Sequence, residues 1–169
     1  AIKQLAVTEA RTAGVDPGII LALICRESSG DPIKIGKLAT NGKEDCGLMQ
    51  IHSGDYKKTK CSEVENVMDP TNNIRLGIAA YKSKLTSVSR FSYEGTAKPT
   101  LAFAAYNCCA NGDNPNDKSA DCNLSTGWSM DLPKWACPIN PGKGSFNMCA
   151  VKNYACDVTA CAAEYTKRL

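Results

Sequence analysis

Apolar residues recur at helical spacing along much of the chain, and nowhere do they alternate as in a half-buried strand. Ile2, Leu5, Ala6 and Ala13 predict a first helix over residues 2–13, with Gly14 where a left-handed C-terminal residue belongs. Asp16 followed by Pro17 reads as an N-cap with proline in the first turn. The run Ile19-Ile20-Leu21-Ala22-Leu23-Ile24-Cys25 is apolar on every side and predicts a central, buried helix. That helix ends near Ser28, Ser29 and Gly30, because Asp31-Pro32 discourages continuation. Residues 33–45 are loop-like, and Asn41-Gly42 signals the tight turn of a small hairpin. A short helix is expected from Gly47. Asp69-Pro70 repeats the cap-and-proline start, and Ile74, Ile78, Tyr81 and Leu85 follow at alternating helical steps, the clearest amphipathic pattern in the chain. Residues 99–109 predict a further helix of small and apolar residues, and residues 111–127 are polar and turn-rich. Met148, Val151, Ala155, Val158, Ala162 and Tyr165 stripe a C-terminal helix. Five or six helices, one small β-hairpin, no internal repeat and no linker imply a mostly α fold in a single domain, residues 1–169.

Length and composition fit this picture. The 169 residues suit one domain with a true core, and 43% hydrophobic and 22% charged residues argue against disorder and low complexity. The longest apolar run, residues 19–25, is far below the roughly 20 residues that cross a bilayer, so no membrane insertion is expected. The N-terminus lacks the order of a signal peptide, so secretion requires that one has been removed or precedes Ala1. A net charge of +3, with 20 basic residues scattered among 17 acidic ones, is too mild for a nucleic-acid reader. It would suit an anionic polymer such as a bacterial wall, although ordinary solubility is the simpler explanation.

Ten cysteines change the picture more. Metal binding would want paired Cys-x-x-Cys spacings and histidines, and the chain has one His and no such pair, so neither metal nor cofactor is expected. An even count points instead to a core stapled by up to five disulfides, in a secreted or periplasmic, oxidising setting. Ten cysteines allow on the order of nine hundred pairings, among which the sequence does not choose, except that adjacent Cys108 and Cys109 should bond elsewhere than to each other.

Glu27 stands out for chemistry. It ends the most buried predicted helix, so its backbone is held rigidly at an exposed end. The negative end of the helix dipole and apolar neighbours both favour a protonated carboxyl, which a general acid working near neutrality needs; Arg26 beside it can oppose this. Taken alone, the same position also fits an ordinary solvated side chain.

Three segments in order, Glu27-Ser28-Ser29-Gly30-Asp31-Pro32, Gly47-Leu48-Met49-Gln50-Ile51 and Ala105-Tyr106-Asn107, closely resemble the motifs of soluble lytic transglycosylases and goose-type lysozymes. Gly14-Val15-Asp16-Pro17, Asp69-Pro70 with Asn73-Ile74 and Gly77, and Asn153-Tyr154 with Tyr165 also sit where this family places similar residues, so the resemblance covers essentially the whole chain. It implies a lysozyme-like helical fold whose cleft binds a β-1,4-linked chain of N-acetylated sugars. By this similarity Glu27 protonates the glycosidic oxygen, which would otherwise leave as a poor alkoxide. Ser28 belongs to the same motif and is expected at the substrate. Met49 and Gln50 look like cleft-wall residues, and Tyr106 and Asn107 like the pair that orients the catalytic carboxyl and the sugar. Core filling is the competing reading for Met49 and Tyr106.

Two departures bear on mechanism. Many lytic transglycosylases carry a serine shortly after the catalytic motif, whereas residues 33–43 offer only Thr40 as a hydroxyl. The gap from Glu27 to Gly47 is long for a bacterial transglycosylase and looks like the hairpin-bearing segment of goose-type lysozymes. That segment brings Glu44 and Asp45, with Asp55 beyond it, as candidates for the second carboxylate that activates water in an inverting hydrolase; each can equally be a solvated charge. Asp31 is better explained as a cap. His52 takes a position where goose-type enzymes can carry an acid and is read as a cleft-edge residue, with a surface role equally open. Disulfides at Cys25 and Cys46, beside Glu27 and Gly47, would pin both sides of the cleft or simply add stability. Asn123-Leu124-Ser125 fits a glycosylation acceptor in a eukaryotic secretory host.

The expected activity is therefore cleavage of β-1,4 bonds between N-acetylmuramic acid and N-acetylglucosamine in peptidoglycan by a monomer, with hydrolysis preferred to transglycosylation. Chitin cleavage is the nearest alternative substrate reading, and an inactive sugar-binding module the alternative from another class.

Overall fold

In the computed structural model, the structure describes residues 1–37, 42–88, 102–103, 106 and 150–169. Residues 1–80 with 161–169 make one compact unit and residues 81–160 a second. The expected mostly helical architecture is present, with a small three-stranded antiparallel sheet and a Cys46–Cys61 disulfide.

In the first unit, α1 (Ile2–Thr12) packs against α2 (Pro17–Ser28). Asp16 caps α2 by accepting the Gly18 N–H at 2.8 Å and also accepts from the Thr166 hydroxyl, which ties this cap to the C-terminal helix α4 (Ala150–Lys167). The apolar run behaves as its pattern demands: Ile20, Leu21, Ala22, Leu23 and Ile24 are all buried. Ser28 ends the helix from within. Its hydroxyl donates to the Ile24 carbonyl and accepts the Gly30 N–H, and Ser29 turns left-handed. Asp31 then accepts the Ile33 N–H and closes the turn.

Strands β1 (Ile35–Lys37), β2 (Glu44–Cys46) and β3 (Ile51–His52) pair in that order. Ile35, Cys46 and Ile51 are opposite one another, as are Gly36, Asp45 and His52. Residues opposite in register share a face, so the sheet has one face of Ile35, Cys46 and Ile51 and another of Gly36, Asp45 and His52. The hairpin expected around Asn41-Gly42 is therefore formed by β1 and β2, with Gly42 left-handed and Asn41 outside the described residues.

The short helix expected from Gly47 is replaced by a tight turn that feeds β3. Gly47 and Gln50 both have positive φ, 71° and 48°, and a Cβ at Gly47 would stand 2.5 Å from the Asn73 amide nitrogen. Asn73, on α3 (Pro70–Val88), is 1% exposed and organises this turn. Its Oδ1 accepts the Met49 N–H at 2.8 Å, while Nδ2 donates to the carbonyls of Cys46 and Val67 at 2.8 and 2.7 Å. Leu48 and Met49 are fully buried beneath it, with Met49 against Gly77, where a side chain would collide with it. A bidentate pair from Arg75 to the nearly buried Glu9 fastens α1 to α3.

In the second unit, Tyr81 stacks on Phe103 with ring centroids 5.6 Å apart, and Ala102 and Val158 are buried. Ala102, Phe103 and Tyr106 have helical backbone, within the helix expected over residues 99–109.

Replacing Asn73 with alanine strands one buried N–H and two carbonyls, so Asn73→Ala should lower unfolding free energy by about 2–4 kcal/mol. Denaturant unfolding checks this, and a loss below about 0.5 kcal/mol would contradict the role given to the carboxamide.

Candidate active site

Glu27 lies on the last turn of α2, half-buried, between exposed Arg26 and buried Ser28. Its carbonyl accepts the Lys34 ammonium at 2.6 Å, which draws the segment after the helix back against it. The Lys34 carbonyl in turn accepts from the Gly47 N–H at 2.8 Å and from the Gln50 carboxamide at 3.3 Å. Gln50 also donates to the Gly47 carbonyl at 2.8 Å, so its left-handed backbone and its side chain are fixed together. Lys34 thus joins the end of α2 to the Gly47–Gln50 turn.

From Gln50 the polar path continues across the sheet. A Cβ at Gly36 would stand 2.7 Å from Gln50 Oε1 and 3.4 Å from the Asp45 Cβ, so both side chains lie over this glycine. Asp45 Oδ1 meets His52 Nδ1 at 2.8 Å. The structure therefore brings Gln50, Asp45 and His52 together on one face, and Lys34 links Gln50 to the Glu27 main-chain carbonyl.

Other predicted residues take different places. The Glu44 carboxylate accepts the Cys61 N–H at 2.9 Å, next to the disulfide, on the face away from Asp45. Ser28 is 3% exposed and occupied in ending α2, and Met49 is in the core. Asp55 is exposed on the 3₁₀ turn Ser53–Tyr56, where its charge adds to burial in raising the pKa of the Tyr56 phenol. Tyr106 belongs to the second unit and is half-buried, and Asn107 lies outside the described residues. Among the described residues no cluster of three or more His, Cys, Asp or Glu side chains is arranged to hold a metal ion, and no helix is long and apolar enough to cross a membrane.

Residues 4–123 match the family model of the Transglycosylase SLT domain. The chain belongs to this family. No curated protein and no solved structure gives a significant match. An SLT domain cleaves the glycan strands of peptidoglycan, so this chain is a cell-wall-cleaving enzyme of the lytic transglycosylase or lysozyme-like kind.

Within this SLT domain, sequence reasoning passed over Lys34, Gly36 and Gly54. Lys34 carries no local signal, since it is one lysine in a loop and its role depends on the turn that brings Gly47 beside it. The two glycines matter for the side chains they leave out: a Cβ at Gly54 would stand 2.5 Å from His52 Nε2. The Cys46–Cys61 disulfide spans 15 residues and fixes the sheet to the 3₁₀ turn Cys61–Glu63, and it is compatible with an oxidising compartment.

Glu44 and the disulfide secure the same junction. Glu44→Ala should lower unfolding free energy by about 1.5–3 kcal/mol, the value of a hydrogen bond to a charged acceptor. Opening the Cys46–Cys61 loop with Cys46→Ser and Cys61→Ser together should remove roughly 3 kcal/mol. Denaturant titrations of the two variants measure both losses, and unchanged midpoints would contradict this assignment.

Proposed function

We propose that the chain is a muramidase that hydrolyses the β-1,4 bond between N-acetylmuramic acid and N-acetylglucosamine, with Glu27 as the general acid and inversion at the anomeric carbon. The observation that carries the hydrolytic reading is the polar sheet face, where Asp45 pairs with His52 on the side that bears Gln50, and Lys34 links Gln50 to the Glu27 main chain. An inverting hydrolase needs a water-activating group across the sugar from its acid, roughly 6.5–9.5 Å between the two where both are carboxyls. Asp45 lies on a strand opposite β1 and carries its carboxylate on this face, whereas Glu44 shapes the segment through its bond to Cys61. Gln50 supports the cleft wall, and Tyr106 with Asn107 are assigned by resemblance to orienting the acid and the sugar. The protein works as a secreted or periplasmic monomer in a single domain.

The family match favours a second reading, in which the muramyl 6-hydroxyl replaces water and leaves a 1,6-anhydro end. Both routes use Glu27. Chitin has the same linkage between N-acetylated sugars, and parallel digestion of sacculi and chitin oligomers separates the two substrates.

Glu27→Gln should fold normally and lose at least about 100-fold in cleavage of purified sacculi, because proton transfer to the leaving oxygen is commonly worth 10²–10⁴. Turbidity clearance and product release measure the loss. Near-wild-type turnover would remove Glu27 from the mechanism and leave no acid in it, whereas binding without cleavage by the wild type would mark a sugar-binding module.

A further inference from the structure

An ionised carboxylate only accepts hydrogen bonds, so the 2.8 Å contact between Asp45 Oδ1 and His52 Nδ1 places the shared proton on Nδ1. With the proton there, the neutral form of the ring keeps its lone pair on Nε2. Register fixes this arrangement, because Asp45 and His52 are directly opposite on neighbouring strands and face the same way. Nε2 packs against Gly54, where a Cβ would stand 2.5 Å from it and 2.8 Å from Lys43 Cδ, and on the other side of Asp45 the Gln50 carboxamide lies over Gly36. Both partners are partly solvent-accessible, His52 at 27% and Asp45 at 24% of their side-chain surface. The result is an oriented, partly exposed imidazole whose Nε2 has room because Gly54 carries no side chain, beside the Lys43 chain and on the face that also bears Gln50.

We propose that His52 is the base that takes a proton from the attacking water, with Asp45 as the positioning residue that holds its tautomer and orientation. This deepens the hydrolytic reading and rests on it. In the step, the water oxygen bonds to the anomeric carbon as the glycosidic C–O bond breaks. The water proton passes to His52 Nε2, and the Glu27 carboxyl proton passes to the leaving oxygen. Imidazolium and carboxylate then return to their starting forms by exchange with solvent. A positioned imidazole is a common general base, and a carboxylate on its other nitrogen is a known means of fixing the reactive one.

The test is digestion of sacculi in ¹⁸O-water by wild type, His52→Ala and Asp45→Asn, with product ends read by mass spectrometry and folding checked by thermal unfolding. Wild type should give reducing muramic acid ends carrying one ¹⁸O. His52→Ala should lose at least about 100-fold in labelled ends. Azide, a nucleophile that needs no base, should restore cleavage by this variant and leave a glycosyl azide. Asp45→Asn should lower kcat with KM little changed, and Gly54→Ala, which crowds Nε2, should act in the same direction should either of the first two variants fail to fold. Hydrolysis at the wild-type rate by folded His52→Ala, or a loss that azide does not restore, overturns the role of His52 while leaving the hydrolytic reading intact. Unlabelled 1,6-anhydro ends from wild type overturn the hydrolytic reading itself, and this inference with it.

Discussion

Asn73 sits in the first turns of α3 with its carboxamide 1% exposed, and its three hydrogen bonds reach backbone groups of Met49, Cys46 and Val67. A buried amide with both ends satisfied has one orientation, and leaving any of these partners unpaired costs free energy on the scale of total stability. The Gly47–Gln50 turn therefore has little freedom about where it sits relative to α3. Gly47 takes the left-handed backbone that a close approach of Asn73 requires, and Gly77 leaves room for Met49. Around this anchor the remaining contacts follow. Cys46 is pinned by its carbonyl and by its disulfide, Glu44 by the Cys61 N–H, and β3 is launched in the register that sets His52 opposite Asp45.

Because the buried side of the turn is fixed, its polar side becomes a rigid surface. Gln50 reaches back to the Lys34 and Gly47 carbonyls, and Lys34 reaches the Glu27 carbonyl. Glu27 itself ends a helix whose apolar run is immobilised between α1 and the core. Chemistry that depends on placing an acid and a water-activating group needs support of this kind on both sides. In the proposed mechanism the helix end and the sheet supply it together, and Gly36 and Gly54 leave room on the polar face for the Gln50 and His52 side chains.

Much of this was legible in the sequence. The helices near residues 2–13 and 17–28, the one begun by Asp69-Pro70 and the C-terminal helix follow from caps and apolar spacing, which are local signals. The ordered motifs led to the family that residues 4–123 match. The expected helix after Gly47 is instead a turn, since Asn73, 24 residues from Met49, supplies the partner a local reading cannot see. A two-residue strand such as Ile51–His52 is too short to show alternation. The Asp45–His52 contact follows from the register of β2 and β3, and the Cys46–Cys61 pairing from the 3₁₀ turn Cys61–Glu63 lying against β2; no single residue announces either. Ser28 and Met49 carry the family motif, yet their side chains are spent in ending α2 and in filling the core.

On the proposed mechanism the glycan lies across the end of α2 and the polar face of the sheet. A crystal structure of Glu27→Gln with a bound N-acetylmuramic acid–N-acetylglucosamine tetramer tests it most directly. The expected density places a glycosidic oxygen within hydrogen-bonding reach of residue 27, and the cleaved sugar facing Gln50 and His52. Density for the glycan on another surface, with Gln50 and His52 untouched, would contradict it.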